Sequence, residues 1–137
     1  MTHRICPANT KIYDVLGAFN HSETYWPISS KVLIGDVVYI YLSAPFKQIG
    51  YICDVLQVNL AKENILEKVR PFLKNQEKIG KNEKMFMRLG VRSIVKLESN
   101  SLLAHHFLKE NGLNGMIMGP RKLENNPTLL DYIQRNL

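Results

Sequence analysis

The sequence predicts an α+β fold, in which strands and helices share a core without alternating regularly. Segments of strand character are separated by loops of unequal length, and helical segments are inserted among them without the strict alternation of a doubly wound sheet. The chain has 137 residues, of which 45% are hydrophobic, and this is enough to bury a substantial core. We therefore expect one domain that spans residues 1–137.

The chain begins with a predicted strand and a predicted helix. Arg4 to Ala8 has strand character, and Asn9 or Thr10 is suited to cap a following helix. Apolar residues then recur at helical spacing, which indicates a helix with one face on the core. These residues are Ile12, Val15, Leu16 and Phe19.

A hairpin is predicted in the middle of the chain. The segment from Asp36 to Leu42 is β-branched or aromatic almost throughout and follows a Gly-Asp turn signal, which predicts a strand. Because its side chains are apolar on both faces, this strand should be covered on both sides. Residues 48–56 again have strand character, so we predict an antiparallel hairpin with residues 43–47 at its tip.

The segments that follow the hairpin are a helix, a loop and a strand. Residues 62–73 have helical spacing, which Pro71 should interrupt. Residues 74–84 are polar, so we predict an exposed and disordered loop. Residues 85–97 return to strand character, with Gly90 as a bulge or a turn.

The last segments are predicted to be two helices and a short strand. Ser99 or Ser101 is suited to cap a short helix that ends at Gly112. Residues 115–118 are predicted to form a last short strand. A C-terminal helix should begin after Asn126, which is a good cap and is followed by a proline.

The cysteines and the N-terminal residues indicate a cytoplasmic protein. Cys6 and Cys53 lie far apart in strand-like contexts, which is typical of reduced, buried thiols in an intracellular chain. The N-terminus lacks the apolar stretch of a signal peptide, and no apolar run approaches membrane-spanning length. We expect no association with a membrane.

The charge distribution favours a polyanionic partner. The net charge is +6 with a pI near 9.4, and nine basic residues against four glutamates lie between residues 61 and 92. A solvated helix face followed by a lysine-rich loop explains this excess nearly as well as phosphate binding. The excess of basic residues lies next, in sequence, to the strand that carries Arg88. This position favours nucleic acid as the partner. The basic residues are Lys62, Lys68, Arg70, Lys74, Lys78, Lys81, Lys84, Arg88 and Arg92.

Signatures of catalysis are weak in this sequence. It has no glycine-rich phosphate loop, nucleophile elbow, metal-ligand cluster or suitably spaced pair of carboxylates. His105 and His106 are neighbours on a predicted helix, so their side chains diverge and cannot chelate one metal together. We therefore predict that the protein is not an enzyme and has no metal or cofactor.

Residue types suited to base recognition gather around the central strand. A protein that inspects a modified base takes it out of the stack, holds it against aromatic faces and reads its edge with polar groups. Each aromatic stack contributes about 1–3 kcal/mol per base. By itself, a lone tryptophan before a strand is more often a core residue than the wall of such a pocket. The candidate residues are Tyr25, Trp26, Ser29, Ser30, Lys31, Tyr41 and Ser43.

Two blocks of the sequence carry a resemblance to a known family. The first is Trp26-Pro27, followed by the strand at residues 35–43 and by Gln48-Ile49-Gly50-Tyr51. The second runs from Leu102-Leu103 through the Asn-Gly-Leu turn to Gly119-Pro120-Arg121. Together they resemble the EVE family, which is related to YTH and ASCH domains, and in particular the EVE-like modules attached to bacterial restriction enzymes. The resemblance implies a PUA-like, partly open β-barrel of about five to six mostly antiparallel strands flanked by helices.

The resemblance also implies a pocket at the open end of the barrel. The Trp-Pro-Ile-Ser loop, the loop after the first strand, the Tyr-Leu-Ser strand end and the Gly-Pro-Arg segment would contribute to it. Arg121 at its rim would meet a phosphate, although an ordinary surface arginine is about equally expected. The single tryptophan departs from the more aromatic cages of YTH readers. The predicted nucleic-acid-binding residues are Asn9, Tyr25, Trp26, Ser29, Ser30, Lys31, Tyr41, Leu42, Ser43, Arg88, Gly119 and Arg121.

We therefore predict a non-catalytic module that binds nucleic acid, DNA rather than RNA, and flips a modified base, such as a methylated one, into an aromatic-walled pocket. The resemblance implies bacterial restriction or defence, with a nuclease as partner or fused domain in relatives. One alternative is an ASCH-like hydrolase of modified nucleosides, for which Lys31 with Asp36 or Glu23, assisted by Ser29, would be the candidate residues. An RNA-binding PUA-like domain and a protein-interaction adaptor are further alternatives.

Overall fold

The computed structural model describes residues 1–10, 14–27, 32–72 and 85–137. Within these residues, six strands form one sheet, and four α-helices accompany it. The elements in chain order are β1 (His3–Ala8), α1 (Val15–Ala18), β2 (Glu23–Pro27), β3 (Val37–Leu42), β4 (Gln48–Ala61), α2 (Lys62–Val69), β5 (Met85–Ile94), α3 (His105–Glu110), β6 (Arg121–Lys122) and α4 (Pro127–Arg135).

The sheet is mixed, mostly antiparallel and not closed into a barrel. Its strand order is β2-β5-β4-β3-β1-β6, so β2 and β6 form its two edges. Only β1 and β3 run parallel to each other among the paired strands of the described residues. This arrangement confirms the prediction of an α+β architecture with an incompletely closed, mostly antiparallel sheet.

Strand β3 separates two apolar cores. All six of its residues are buried, and alternate side chains point to opposite faces, as the sequence predicted. Val38, Ile40 and Leu42 pack on the face covered by α1, which we call the α1 face. The other three side chains pack on the face covered by α3 and α4, which we call the α4 face. Burying one large aliphatic side chain stabilises the folded state by about 1.5–3 kcal/mol. Because all six side chains of β3 are buried on one face or the other, this strand joins the two apolar layers.

The predicted hairpin and the predicted helix after it are confirmed. β3 and β4 pair antiparallel around the tip at residues 43–47, and β4 continues beyond the predicted end to Ala61. Helix α2 ends at Val69, and Pro71 lies in a 3₁₀ turn that follows directly. Ile65 and Val69 of this helix pack against Phe86 of β5 in a third, smaller apolar cluster.

Two predicted helix caps are wrong. Helix α1 is capped by Asp14, whose carboxylate accepts the N–H of Gly17 at 3.1 Å, and neither Asn9 nor Thr10 caps it. Helix α3 begins after Ala104, not after a serine. Ser101 instead accepts the N–H of Leu103 at 3.2 Å, because a serine hydroxyl can close a tight turn as readily as it can cap a helix.

In the C-terminal part, two predictions from the sequence are confirmed and one is wrong. Gly112 follows α3 with φ +113°, a conformation that suits glycine and ends the helix. The side chain of Asn126 accepts the N–H of Leu129 and caps α4, as predicted. Residues 115–118, however, form no strand. The short strand β6 lies just beyond them at Arg121–Lys122 and pairs antiparallel with β1.

The sequence did not predict β2, and it misplaced the irregularity of β5. Residues 23–27 were interpreted as a loop but form an edge strand paired with β5. Gly90 is not a turn, since it pairs with both Glu23 and Asp54, and β5 continues through it to Ile94. The register shifts next to it, between the pairs at Ser93 and Val91. The loop predicted at residues 74–84 lies outside the described residues.

The carboxylate of Asp36 fixes the start of β3. It is buried, accepts the N–H groups of Thr2 and Leu33 at 3.0 Å each, and lies 3.8 Å from Nε of Arg4. These contacts join the start of β1 to the turn before β3, and thereby hold the parallel pair of strands in register. Removing the carboxylate would leave two backbone donors without their acceptor and would take away the negative charge beside a largely buried arginine.

We expect Asp36→Ala to lower the free energy of unfolding by about 3 kcal/mol, because it removes the acceptor of a buried ion pair and of two N–H groups. Asp131→Ala is the matched control, since Asp131 is exposed and forms an ion pair with Arg135 one helical turn away. It should cost less than about 0.5 kcal/mol. Urea unfolding measures both. Equal decreases in the free energy of unfolding for the two variants would show that Asp36 contributes no more to stability than an exposed carboxylate.

Both cysteines are free and buried on the α1 face, as the sequence predicted. Burial raises the pKa of each thiol from its ordinary value of 9.0 to about 12. The folded protein therefore keeps both thiols protonated at pH values where unfolded thiols ionise. Their contribution to stability is fully present below pH 9 and declines as the pH rises towards 12.

We expect wild-type protein to lose more stability between about pH 9 and pH 11 than a Cys6→Ala/Cys53→Ala variant. The excess should be of the order of 1–2 kcal/mol per thiol, since each pH unit corresponds to about 1.4 kcal/mol per group. Tyrosine ionisation affects both proteins alike and cancels in the comparison. Urea unfolding at the two pH values measures the difference, and identical losses would mean that the thiols ionise without unfolding.

Candidate nucleic-acid interface

The predicted site residues lie at three separate places in the sheet. Tyr25, Trp26 and Arg88 lie at the β2–β5 edge, Asn9 with residues 41–43 lies at the carboxyl ends of β1 and β3, and Gly119 with Arg121 lies at the β6 edge. Three others, Ser29, Ser30 and Lys31, lie outside the described residues.

Tyr25 and Trp26 point to opposite faces of the sheet because they are consecutive residues of β2. Trp26 is half-buried on the α1 face, where its ring centroid lies 5.5 Å from that of Phe19. Phe19 in turn stacks on Tyr51 at 4.9 Å. Trp26 therefore belongs in part to the core, and its partial exposure leaves some of the indole available to a ligand.

Tyr25 lies on the other face, next to two cations. The ammonium of Lys68 donates to its hydroxyl at 3.0 Å and lies 5.1 Å from its ring centroid. Arg88 is the cross-strand partner of Tyr25 and donates to Glu23 at 2.8 Å. We call Tyr25, Lys68 and Arg88 the basic–aromatic patch. It combines the π-face of a residue on the edge strand with two cations, one from α2 and one from β5, which suits binding of nucleic-acid backbone and bases.

The carboxyl ends of β1 and β3 bring two polar loops together. The N–H of Thr10 donates to the hydroxyl of Ser43 at 3.1 Å, and the two hydroxyls lie 3.2 Å apart. Asn9 is exposed beside this pair, whereas Leu42 is fully buried in the core. The structure thus places Asn9 and Ser43 in adjoining loops, and their contact with a base stays a prediction.

Tyr41 does not share this surface. It points to the α4 face, where its hydroxyl lies 3.2 Å from Nδ1 of His105, and burial raises the pKa of its phenol. His105 is partly buried and His106 is exposed, which confirms that the two adjacent histidines diverge. No group of three metal-ligating side chains is found among the described residues.

Arg121 at the β6 edge holds a loop in place. Its guanidinium donates to the carbonyl of Asn114 at 2.6 Å and to the carbonyl of Met116. Gly119 lies two residues before it, in the same loop. Carbonyl oxygens satisfy N–H donors without neutralising charge, so Arg121 remains a local source of positive potential.

The predicted site residues that the structure describes do not lie in one pocket. β2 and β6 are opposite edges of the sheet, which separates Trp26 from Arg121. β2 and β3 also run in opposite directions, so Trp26 and Ser43 lie towards opposite ends of the sheet. Trp26 and Leu42 do belong to one core on the α1 face, linked through Phe19 and Tyr51.

The carboxylates proposed for a hydrolase are engaged elsewhere. Asp36 is buried and accepts two backbone N–H groups, and Glu23 is paired with Arg88 at the sheet edge. Lys31 and Ser29, the other members of that hypothetical site, lie outside the described residues.

Two side chains at these places were not assigned to the site from the sequence. Lys68 was counted only as part of the basic excess, because its contact with Tyr25 depends on how α2 packs against β2. Thr10 was assigned as a helix cap, although a hydroxyl directly after the first strand was a signal for a role at the strand end.

Comparison with known proteins identifies the fold. No family model matches the sequence, and no curated protein matches it. The ASCH protein of Zymomonas mobilis superposes with a TM-score of 0.63 at 12% identity, covering 94% of each chain. A variant of that protein gives a TM-score of 0.69 at 8% identity, covering 98% of each chain. A hypothetical protein from Leishmania major gives 0.62 at 13% identity, covering 98% of this chain and 93% of that one.

The chain therefore has the fold seen in the ASCH protein of Zymomonas mobilis. The fold that the resemblance implied is confirmed, and membership of the EVE family and of the PUA-like superfamily stays a prediction. None of the described helices is long and apolar enough to cross a membrane.

We expect Trp26→Ala to lower the free energy of unfolding by about 2 kcal/mol, because it opens a gap beside Phe19 at the border of the core. Tyr25→Phe keeps the ring and removes only the exposed hydrogen bond to Lys68, so it should cost less than about 1 kcal/mol. Urea unfolding measures both. If Trp26→Ala lowered the free energy of unfolding less than Tyr25→Phe does, Trp26 would not belong to the core.

Proposed function

We propose that this protein is a non-catalytic nucleic-acid-binding module of the PUA-like class. The observation that carries the proposal is the β2 edge, where Tyr25 lies beside Lys68 and Arg88, and Trp26 lies on the opposite face of the same strand. The net charge of +6 adds a long-range attraction to polyanions. The ASCH-type fold supports the class of protein but not the choice of ligand.

Phosphates and bases have different partners in this proposal. Lys68 and Arg88 attract the backbone, which gives affinity without sequence information. Arg88 is only partly neutralised by Glu23, since that pair is exposed to solvent at the sheet edge. Tyr25, which is already in contact with Lys68, offers a stacking face on the same side.

The finer proposal is that the ligand is DNA with one modified base, flipped out of the helix and stacked on Trp26. Three observations support it: the indole is half-buried, it rests on Phe19, and the sequence supplies hydroxyls and a cation at Ser29, Ser30 and Lys31 directly after it. Because the Trp26 ring already packs against Phe19, it loses little conformational entropy when a base stacks on it.

Absence of catalysis belongs to the same proposal. Asp36 and Glu23, the carboxylates nearest in sequence to Lys31, both have structural partners. A restriction or defence role, with the nuclease supplied by a partner or a fused domain, rests on the resemblance to modules attached to restriction enzymes.

The test is fluorescence anisotropy with labelled oligonucleotides of one sequence, at several salt concentrations. The ligands are a plain duplex, duplexes with one methylated cytosine or one methylated adenine, and a single-stranded RNA. The proteins are wild type, Lys68→Ala/Arg88→Ala, Trp26→Phe and the control Lys109→Ala, in which the lysine lies on α3 away from β2. Trp26→Phe is used because it keeps an aromatic ring beside Phe19.

We expect salt-sensitive binding that favours one modified duplex. The double variant should bind every oligonucleotide more weakly, with a salt slope lowered by about one to two contacts. Trp26→Phe should lose the preference for the modified duplex with little change in salt slope, and Lys109→Ala should match wild type.

Other results would change or end the proposal. Binding without discrimination among duplexes would remove base flipping and leave a backbone binder. A preference for the RNA would favour the RNA-binding alternative. No binding to any oligonucleotide would refute the proposed class, and release of a modified base or nucleoside product would refute the absence of catalysis.

A further inference from the structure

One part of the α4 face is left uncovered by the helices. Met87 and Leu89 of β5 are buried on the α1 face. Because strand side chains alternate, Phe86, Arg88 and Gly90 belong to the α4 face. Helix α2 packs on Phe86 at one end of this region, and α3 with α4 cover β3 and β1 beyond its other end. Between the two helical layers lies an open trough of exposed or half-buried residues, which are Glu23, Tyr25, Asp54, Arg88, Gly90 and Arg92.

Four charged residues of the trough form two ion pairs between strands. Arg88 donates to Glu23 of β2 at 2.8 Å. Arg92 donates to Asp54 of β4 through Nε, at 3.2 Å, and through a terminal N–H group. Glu23 and Asp54 are the cross-strand partners of Gly90 on β2 and on β4, and partners in a sheet share a face. The two ion pairs therefore lie on either side of Gly90, at the centre of the trough.

Both ion pairs are exposed to solvent. The exposed fractions of the side chains are 30% for Arg88 and 47% for Glu23, and 51% for Arg92 and 38% for Asp54. Exposed ion pairs contribute little to stability, because water screens the charges and both side chains lose rotamer freedom. A ligand that offers another anion can therefore displace either carboxylate at little cost.

The carboxylates hold the arginines as phosphates would. A guanidinium binds carboxylate and phosphate groups alike through two N–H groups, and Asp54 contacts Arg92 in this two-point manner. Arg88 and Arg92 are four residues apart on β5, which corresponds to about 13 Å at about 3.3 Å per residue. A nucleic-acid strand in a duplex advances about 3.4 Å per nucleotide, so one backbone passes both arginines within about four nucleotides.

A third cation stands at the α2 end of the trough. Lys68 contacts Tyr25 and forms no ion pair within the described ranges of the chain. Tyr25 is the cross-strand partner of Arg88. Lys68, Arg88 and Arg92 therefore follow one another from the α2 end of the trough towards the end that α3 and α4 cover.

We propose that the trough carries the phosphate backbone of the bound nucleic acid, and that Glu23 and Asp54 occupy its two arginines until phosphates displace them. The backbone runs from Lys68 past Arg88 to Arg92, which adds a contact that the basic–aromatic patch does not contain. The two carboxylates thereby limit the affinity of the protein for polyanions. This inference rests on the proposed function, since it takes nucleic acid as the ligand, and it does not depend on base flipping.

The test is fluorescence anisotropy with one labelled oligonucleotide, as a single strand and as a duplex, at several salt concentrations. Glu23→Gln and Asp54→Asn each remove one carboxylate charge from the trough. Asp131→Asn is their matched control, because Asp131 forms an exposed ion pair with Arg135 on α4, outside the trough. Arg92→Ala is compared in the same way with Arg135→Ala. Each variant is first checked for an unchanged unfolding midpoint.

We expect Glu23→Gln and Asp54→Asn each to bind about three- to fivefold more tightly than wild type, because phosphates no longer compete with a carboxylate for an arginine. Asp131→Asn makes the same change in net charge and should alter the affinity less than about twofold. Arg92→Ala should weaken binding and lower the salt slope by about one contact, whereas Arg135→Ala should keep the wild-type slope. In NMR spectra, the Nε–H signal of Arg92 should shift when the oligonucleotide is added, and that of Arg135 should not.

Two results would overturn this inference. In the first, Lys68→Ala/Arg88→Ala weakens binding, but Arg92→Ala keeps the wild-type salt slope and both carboxylate variants bind no more tightly than their control. The proposed function would then stand, and the trough would not be its backbone site. In the second, neither wild type nor a Glu23→Gln/Asp54→Asn double variant binds the oligonucleotide in either form, and the proposed function and this inference fail together.

Discussion

The burial of β3 on both faces is the constraint on which the rest of the structure depends. Six consecutive residues without an exposed side chain require a layer on each side, and the chain supplies α1 on one face and α3 with α4 on the other. The neighbours of β3 are fixed by the same requirement, since β4 returns through the hairpin and β1 pairs in parallel with its start held by Asp36. The edge strands β2 and β6 lie outside this central arrangement, and ligands can approach them.

Much of the fold could be predicted because its signals are local. The alternation of Val37 to Leu42 and the turn after it are properties of adjacent residues, and so are the Asn126 cap and the stop at Gly112. β2 could not be predicted in the same way, because its strand conformation depends on pairing with β5, which lies far along the chain. The caps of α1 and α3 were missed because several polar residues lie near the start of each helix. Thr10 contacts Ser43 far along the chain, whereas Ser101 closes a local turn.

The candidate site was predictable in residue type but not in geometry. The sequence identified Tyr25, Trp26 and Arg88 as chemically suitable, and these do lie at one sheet edge. It could not indicate that Tyr25 and Trp26 point to opposite faces, because that follows from the strand that was not predicted. Nor could it connect Lys68 to Tyr25, a contact that depends on how α2 packs against the sheet.

The order in which the strands pair has a consequence for the synthesis of this protein. The β3–β4 hairpin can form as soon as its residues leave the ribosome, but β2 is made earlier and pairs only with β5. Until β5 has been synthesised, the strand that carries Tyr25 and Trp26 has no partner, and its backbone groups and aromatic rings are open to other chains. The strand that carries Tyr25 and Trp26 is thus one that the nascent chain must keep protected until β5 has been made.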